Sequence, residues 1–67
     1  MITIQLNGQT QSVASNLPLL ELLQQLGVKS QYCAVERNGD IVPKDQYATT
    51  SLQEGDTLEV VTLVGGG

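Results

Sequence analysis

Ile2, Ile4 and Leu6 alternate with Thr3, Gln5 and Asn7, a period of two that marks a strand with one buried face. Met1 to Leu6 is therefore expected as the first strand. Asn7-Gly8 follows, the dipeptide best suited to a two-residue hairpin because both central residues of that turn take positive φ. Gln9 to Ala14 returns as a second strand rich in Thr, Ser and Val. Ser15-Asn16 and Pro18 then break the chain, and the period changes. Leu19, Leu20, Leu22, Leu23 and Leu26 recur at the offsets of one helical face. Glu21 falls in the first turn, where a carboxylate complements the helix dipole, and Gly27 is placed to close the C-terminus in a left-handed conformation. So continuous a leucine stripe requires a sheet to lie against.

Tyr32 to Arg37 reads as a third strand, with Ala34 and Glu36 on one face and Cys33, Val35 and Arg37 on the other. Asn38-Gly39-Asp40 turns it, Ile41-Val42 makes a very short strand, and Pro43 to Tyr47 is a polar turn whose Tyr47 folds back on the body. Leu52 leads to a second strong turn at Glu54-Gly55-Asp56, and Thr57 to Val64 is the last strand. Laying that strand parallel to the first closes a mixed sheet of four to five strands, with one helix packed diagonally across it. The expected class is α+β, the β-grasp or ubiquitin-like architecture, as a single domain over residues 1–67 with residues 64–67 as an exposed, flexible glycine tail.

Composition narrows this further. A chain of 67 residues has room for one small domain, which buries only about 60% of its unfolded surface. Phe and Trp are absent, so the core is aliphatic. One cysteine and no histidine exclude an internal disulfide and argue against a metal site, which fits a reducing, cytoplasmic setting. No apolar run approaches the roughly 18 residues of a membrane span, and no signal-peptide pattern opens the chain. The net charge of −4 repels nucleic acid and anionic membrane and favours an electropositive protein partner. No charge precedes Glu21, which suggests a hairpin at the centre of the sheet.

Catalytic chemistry finds no residues to carry it. Neither a phosphate-binding G-x-x-x-x-G-K-[ST] loop nor a G-x-G-x-x-G turn is present, and no triad forms without histidine, so this chain is expected to be a protein substrate and not an enzyme. Cys33 sits among Tyr32, Ala34 and Val35 and reads as a small core residue. Tyr32 and Tyr47 read as packing or interface residues. Glu54, Asp56 and Glu59 form a local acidic group, open to two readings: a solvated face, or a docking patch for a basic partner.

The C-terminus has a chemical logic of its own. Val64-Gly65-Gly66-Gly67 follows directly on the last strand, and four such residues can reach roughly 13 Å at about 3.3 Å each. Three glycines pack no side chain and lose much freedom on ordering, so a core does not account for them. They suit a narrow channel in another enzyme, with the unhindered carboxylate of Gly67 as the reacting group, Gly65 and Gly66 passing where side chains clash, and Leu63 and Val64 anchoring the base. A loose terminus or linker scar is the alternative reading.

Several segments together resemble the ThiS family, the sulfur carriers of thiamin biosynthesis: Thr62-Leu63-Val64-Gly65-Gly66-Gly67, Val35-Glu36-Arg37-Asn38-Gly39-Asp40-Ile41-Val42-Pro43-Lys44, Glu21-Leu22-Leu23 and the Glu54-Gly55-Asp56 turn. The likeness runs nearly end to end. Terminal Gly-Gly alone is shared with ubiquitin-like modifiers and with the MoaD carriers of molybdopterin synthesis; the N-G-x-I-V-P-[RK] segment ahead of Tyr47 favours ThiS. Lys44 stands where arginine is frequent in the family, Tyr47 where tryptophan is, and Pro18 where a Ser/Thr cap is common.

The resemblance implies that an E1-like, ThiF-like enzyme adenylates the Gly67 carboxylate with MgATP. A sulfur donor such as a cysteine desulfurase then supplies sulfur to leave a thiocarboxylate, and a ThiG-like thiazole synthase receives it. No cofactor bound by this chain is implied. Protein modification and a purely non-catalytic interaction role are the other classes the tail allows.

Overall fold

The computed structural model describes residues 1–63. Five strands and one helix succeed each other as β1 (Ile2–Leu6), β2 (Gln9–Val13), α1 (Leu19–Gln25), β3 (Cys33–Arg37), β4 (Asp40–Ile41) and β5 (Thr57–Thr62). Short 3₁₀ turns cover Ser30–Tyr32 and Lys44–Gln46. The sheet order is β2-β1-β5-β3-β4, with β1 and β5 parallel and the other neighbours antiparallel. This is the β-grasp arrangement, a mixed five-stranded sheet with one helix across one face.

The two hairpins use the same local device. Asn7 and Gly8 take φ of 50° and 82°, and Asn38 and Gly39 take 53° and 88°, the positive pair that a two-residue turn between twisted strands demands. The second turn pairs Arg37 with Asp40, so β4 begins one residue earlier than the expected Ile41-Val42. Strand β3 starts at Cys33 because Tyr32 belongs to the preceding 3₁₀ turn, its N–H donating to the Lys29 carbonyl.

One expectation is corrected. The uncharged hairpin does not lie at the centre of the sheet: β2 is an edge strand, and β5 is central. Four of the five β2 residues are exposed, so the absence of charge reflects neutral polar surface and not depth.

The core lies between α1 and the sheet. Leu19, Leu22 and Leu23 point down from the helix onto Ile4, Leu6, Val35 and Leu58, while Leu17, Leu52 and Tyr47 close the end near the helix start. Cys33 and Val13 complete it. Leu20 and Leu26 fall to the flanks of the stripe, Leu26 being exposed. No helix among the described residues is long and apolar enough to cross a membrane.

Candidate functional site

Gly67, Gly66, Gly65 and Val64, the residues to which the tail chemistry was assigned, lie outside the described residues. What the structure presents is the platform from which they depart, the C-terminal half of β5. That strand is central and is paired along its whole length with β3, from Arg37 opposite Leu58 to Cys33 opposite Thr62. The ladder continues one step further, where the Leu63 N–H donates to the Tyr32 carbonyl at 2.6 Å. Leu63 is thus tied by its backbone while its side chain is 52% exposed.

Alternation along β5 sends Leu58 and Val60 toward the helix and Glu59, Val61 and Leu63 toward the open face of the sheet. Register sets Ala34 beside Val61, Glu36 beside Glu59 and Ile41 beside Glu36 on that same face. The result is an exposed apolar surface, with Val61 57% and Ile41 67% accessible, that carries two carboxylates directly across from each other. Like charges in cross-strand register repel. Among the described residues neither glutamate has a cationic partner, since the one ion pair joins Arg37 to Asp56. An apolar face carrying unneutralised carboxylates suits a protein surface that brings its own cation.

The acidic group read from the sequence divides into three fates. Glu59 lies on the open face, as a docking residue requires. Glu54 accepts the Thr3 N–H at 3.0 Å and so finishes the outer end of β1. Asp56 is only 5% exposed and accepts from the Gln53 N–H, Asn38 Nδ2 and Arg37 Nε at 2.9, 3.1 and 2.9 Å. It is an internal clasp and not part of a surface patch. The turn chemistry of Glu54-Gly55-Asp56 explains the difference: Gly55 at φ 83° reverses the chain so that its two acidic neighbours face different ways.

Cys33 has no exposed surface and its thiol donates to the Ser30 carbonyl at 3.6 Å, so it is a core residue. Tyr47, also buried, donates its hydroxyl to the Cys33 carbonyl at 3.4 Å. Burial raises the Tyr47 phenol above its usual 10.0, and the neighbouring thiol adds to the shift. Tyr32 is partly exposed beside the base of β5. Among the described residues no three His, Cys, Asp or Glu side chains gather as a metal would need, and no cleft is present.

Ala34, Glu36, Ile41 and Val61 were not singled out from the sequence. Their alternation on β3 and β5 is legible, but that β3 stands beside β5, and in which register, is not. The sequence marks Asn7 as a turn former; its side chain also reaches β5, where Oδ1 accepts the Val60 N–H at 2.8 Å and Nδ2 donates to the Val60 carbonyl at 3.2 Å.

Comparison with known proteins bears on this platform. The family model described as the ThiS family matches residues 4–67, a span that includes both β5 and the glycines. The sulfur carrier protein ThiS of Escherichia coli is 33% identical over 61 residues, covering 91% of this chain and 92% of that one. A crystal structure of the thiamine biosynthesis protein (ThiS) from Geobacter metallireducens superposes with a TM-score of 0.83 at 32% identity, covering 98% of this chain and 100% of that one. A thiazole synthase of Paramagnetospirillum magneticum is 44% identical over 62 residues, which are 92% of this chain; the chain spans only 19% of that protein's length.

Proposed function

Because the chain belongs to the ThiS family of sulfur carriers, we propose that it carries sulfur as a thiocarboxylate on Gly67 and delivers it for thiazole formation in thiamin biosynthesis. The observation that carries this reading is that the family match extends through residue 67, so it includes the reacting terminus as well as the fold.

The chemistry follows from what a carboxylate lacks. At neutral pH it is a poor electrophile, and the described residues supply neither a nucleotide-binding loop nor a catalytic base. Activation therefore belongs to a partner, an E1-like enzyme of the ThiF type. The Gly67 carboxylate attacks the α-phosphorus of MgATP and pyrophosphate leaves; the terminal sulfur of a protein persulfide charged by a cysteine desulfurase displaces AMP to give an acyl disulfide, and a thiol reductant cleaves its S–S bond to release the thiocarboxylate. Gly65 and Gly66 offer no side chain to obstruct the partner's channel, and Val64 with Leu63 marks the base of the reach. Cys33, fully buried, takes no part. The open face around Val61, Leu63 and Glu59 is the docking surface, and its carboxylates ask for a basic counterpart. The thiazole synthase relative favours the thiamin pathway over the molybdopterin one. The reduced, buried Cys33 and the ATP-dependent partner fit a cytoplasmic setting.

Incubation with a ThiF-like enzyme, MgATP, a desulfurase with cysteine, and a thiol reductant tests the reading by intact mass. Replacement of one oxygen by sulfur, localised to Gly67 by fragmentation, is the expected result. An unchanged mass with a partner that demonstrably consumes ATP counts against carriage, and isopeptide-linked products point instead to a protein modifier.

A further inference from the structure

We infer that the free upper edge of β5, at Thr62, receives an extended strand of the thiazole synthase, and that the Asn7 side chain sets where that strand begins. The inference rests on the pathway proposed above and concerns how the partner finds its register.

In an antiparallel ladder alternate residues direct their backbone groups to the same neighbour. The Asn38 N–H meets the Thr57 carbonyl and the Leu63 N–H meets the Tyr32 carbonyl, so residues 57, 59, 61 and 63 address β3. Residues 58, 60 and 62 therefore address the other side, where β1 runs. There the Leu58 carbonyl accepts the Asn7 N–H at 2.9 Å. Strand β1 ends at Leu6, and the chain turns away through Asn7-Gly8 into β2. Val60 would be left unpaired, but the Asn7 carboxamide meets both its N–H and its carbonyl.

One side-chain amide presents the same acceptor and donor as a peptide group, so Asn7 extends the ladder by one step and ends it. Thr62 is the next residue in the series. No group among the described residues meets its N–H or its carbonyl, and Thr62 is exposed.

What complements an outward donor and acceptor at strand spacing is another backbone, by strand addition. The edge itself is neutral, formed by Asn7, Gly8 and Thr62, so it imposes no charge on the incoming strand. Val61 and Leu63, exposed on either side of Thr62, offer apolar contact to its side chains on the open face. The occupant is assigned to the thiazole synthase because a domain like this one forms part of a thiazole synthase chain in Paramagnetospirillum magneticum. Joined domains meet at high effective concentration, where a contact of a few hydrogen bonds is enough to set register. The outer edge of β2 is unpaired as well, but it lies two strands from β5 and provides an internal control.

The test uses the full chain and purified thiazole synthase, with calorimetric binding and amide exchange followed by NMR. Thr62→Pro removes the outward N–H without touching a bond to β3, and should weaken binding about fivefold to tenfold. Ser12→Pro, which removes an outward N–H on β2, should leave the affinity unchanged. The Thr62 amide, fast-exchanging in the free chain, should become protected in the complex. Unaltered affinity of Thr62→Pro with an unprotected Thr62 amide overturns the inference while leaving the pathway intact. Absence of any binding by the unsubstituted chain overturns both. Should Thr62→Pro fail to fold, amide protection in the unsubstituted chain decides alone.

Discussion

At Asp56 one carboxylate holds together segments that are far apart in sequence. It binds its own turn through the Gln53 N–H and the β3-β4 hairpin through Arg37 and Asn38. Asn38 in turn accepts the Thr57 N–H at 2.9 Å, so the start of β5 is fixed from both sides. Burial by itself would push the Asp56 carboxyl up; hydrogen bonds from Gln53, Asn38 and Arg37, with the charge of Arg37, outweigh it and hold the group below 3.8. A carboxylate whose pKa is depressed on folding stabilises the fold at every pH above its unfolded value and ceases to do so as pH falls through the folded one. Stability should therefore be insensitive to Asp56 from pH 7 down to about 5 and fall below about 4. Asp56→Asn should cost roughly 1–3 kcal/mol at pH 7, because an amide N–H₂ is set against Arg37. Urea titrations of both proteins at pH 7 and pH 3 check this: the difference between them should shrink at the lower pH. The acidic turn was visible in the sequence, but its partners were not, since they arrive through the β3-β5 register.

Helix α1 shows how an element can be legible while its support is not. Seven residues are too few to hold a helix in isolation, so tertiary packing must stabilise it. Its leucine period was sufficient to place it. Its start carries Pro18 at the N-cap with no side-chain cap, a position where a Ser/Thr residue would ordinarily serve. The first N–H groups are instead taken by another loop: Leu19 donates to the Thr50 carbonyl at 2.8 Å and Leu20 to the Tyr47 carbonyl at 2.9 Å. A Pro18→Ser substitution should accordingly gain less than the usual ~1 kcal/mol of a new cap. The C-terminal end is local by contrast. Gly27 adopts φ 75°, and a Cβ there would meet nothing within 4 Å, so replacement costs backbone strain and no clash. Gly27→Ala should destabilise by about 1 kcal/mol, a fall of roughly 4–8 °C in thermal midpoint for a domain of this size, measurable by calorimetry.

For the molecule as a whole, the central position of β5 matters most. It is paired with β3 along its length and with β1 at Thr57 and Leu58, and it is the last strand before the glycines. Carrier chemistry and folding should therefore separate. Deleting Gly66-Gly67 should abolish thiocarboxylate formation while shifting the thermal midpoint by no more than about 1 °C, because glycines bring no side chain to the core. A large shift would show that the terminus contributes to the fold, and would count against its role as a reach.

The elements, the aliphatic core and both Asn-Gly hairpins are legible in the chain because each is written in neighbouring residues: period, composition, turn dipeptide. It takes the assembled sheet to make β2 an edge, to turn Asp56 into an internal clasp, to bring Ala34, Glu36, Ile41 and Val61 onto one face with Glu59 and Leu63, and to let Asn7 end a ladder. Those facts depend on which strands lie side by side and in what register, and register is set by contacts between residues dozens of positions apart.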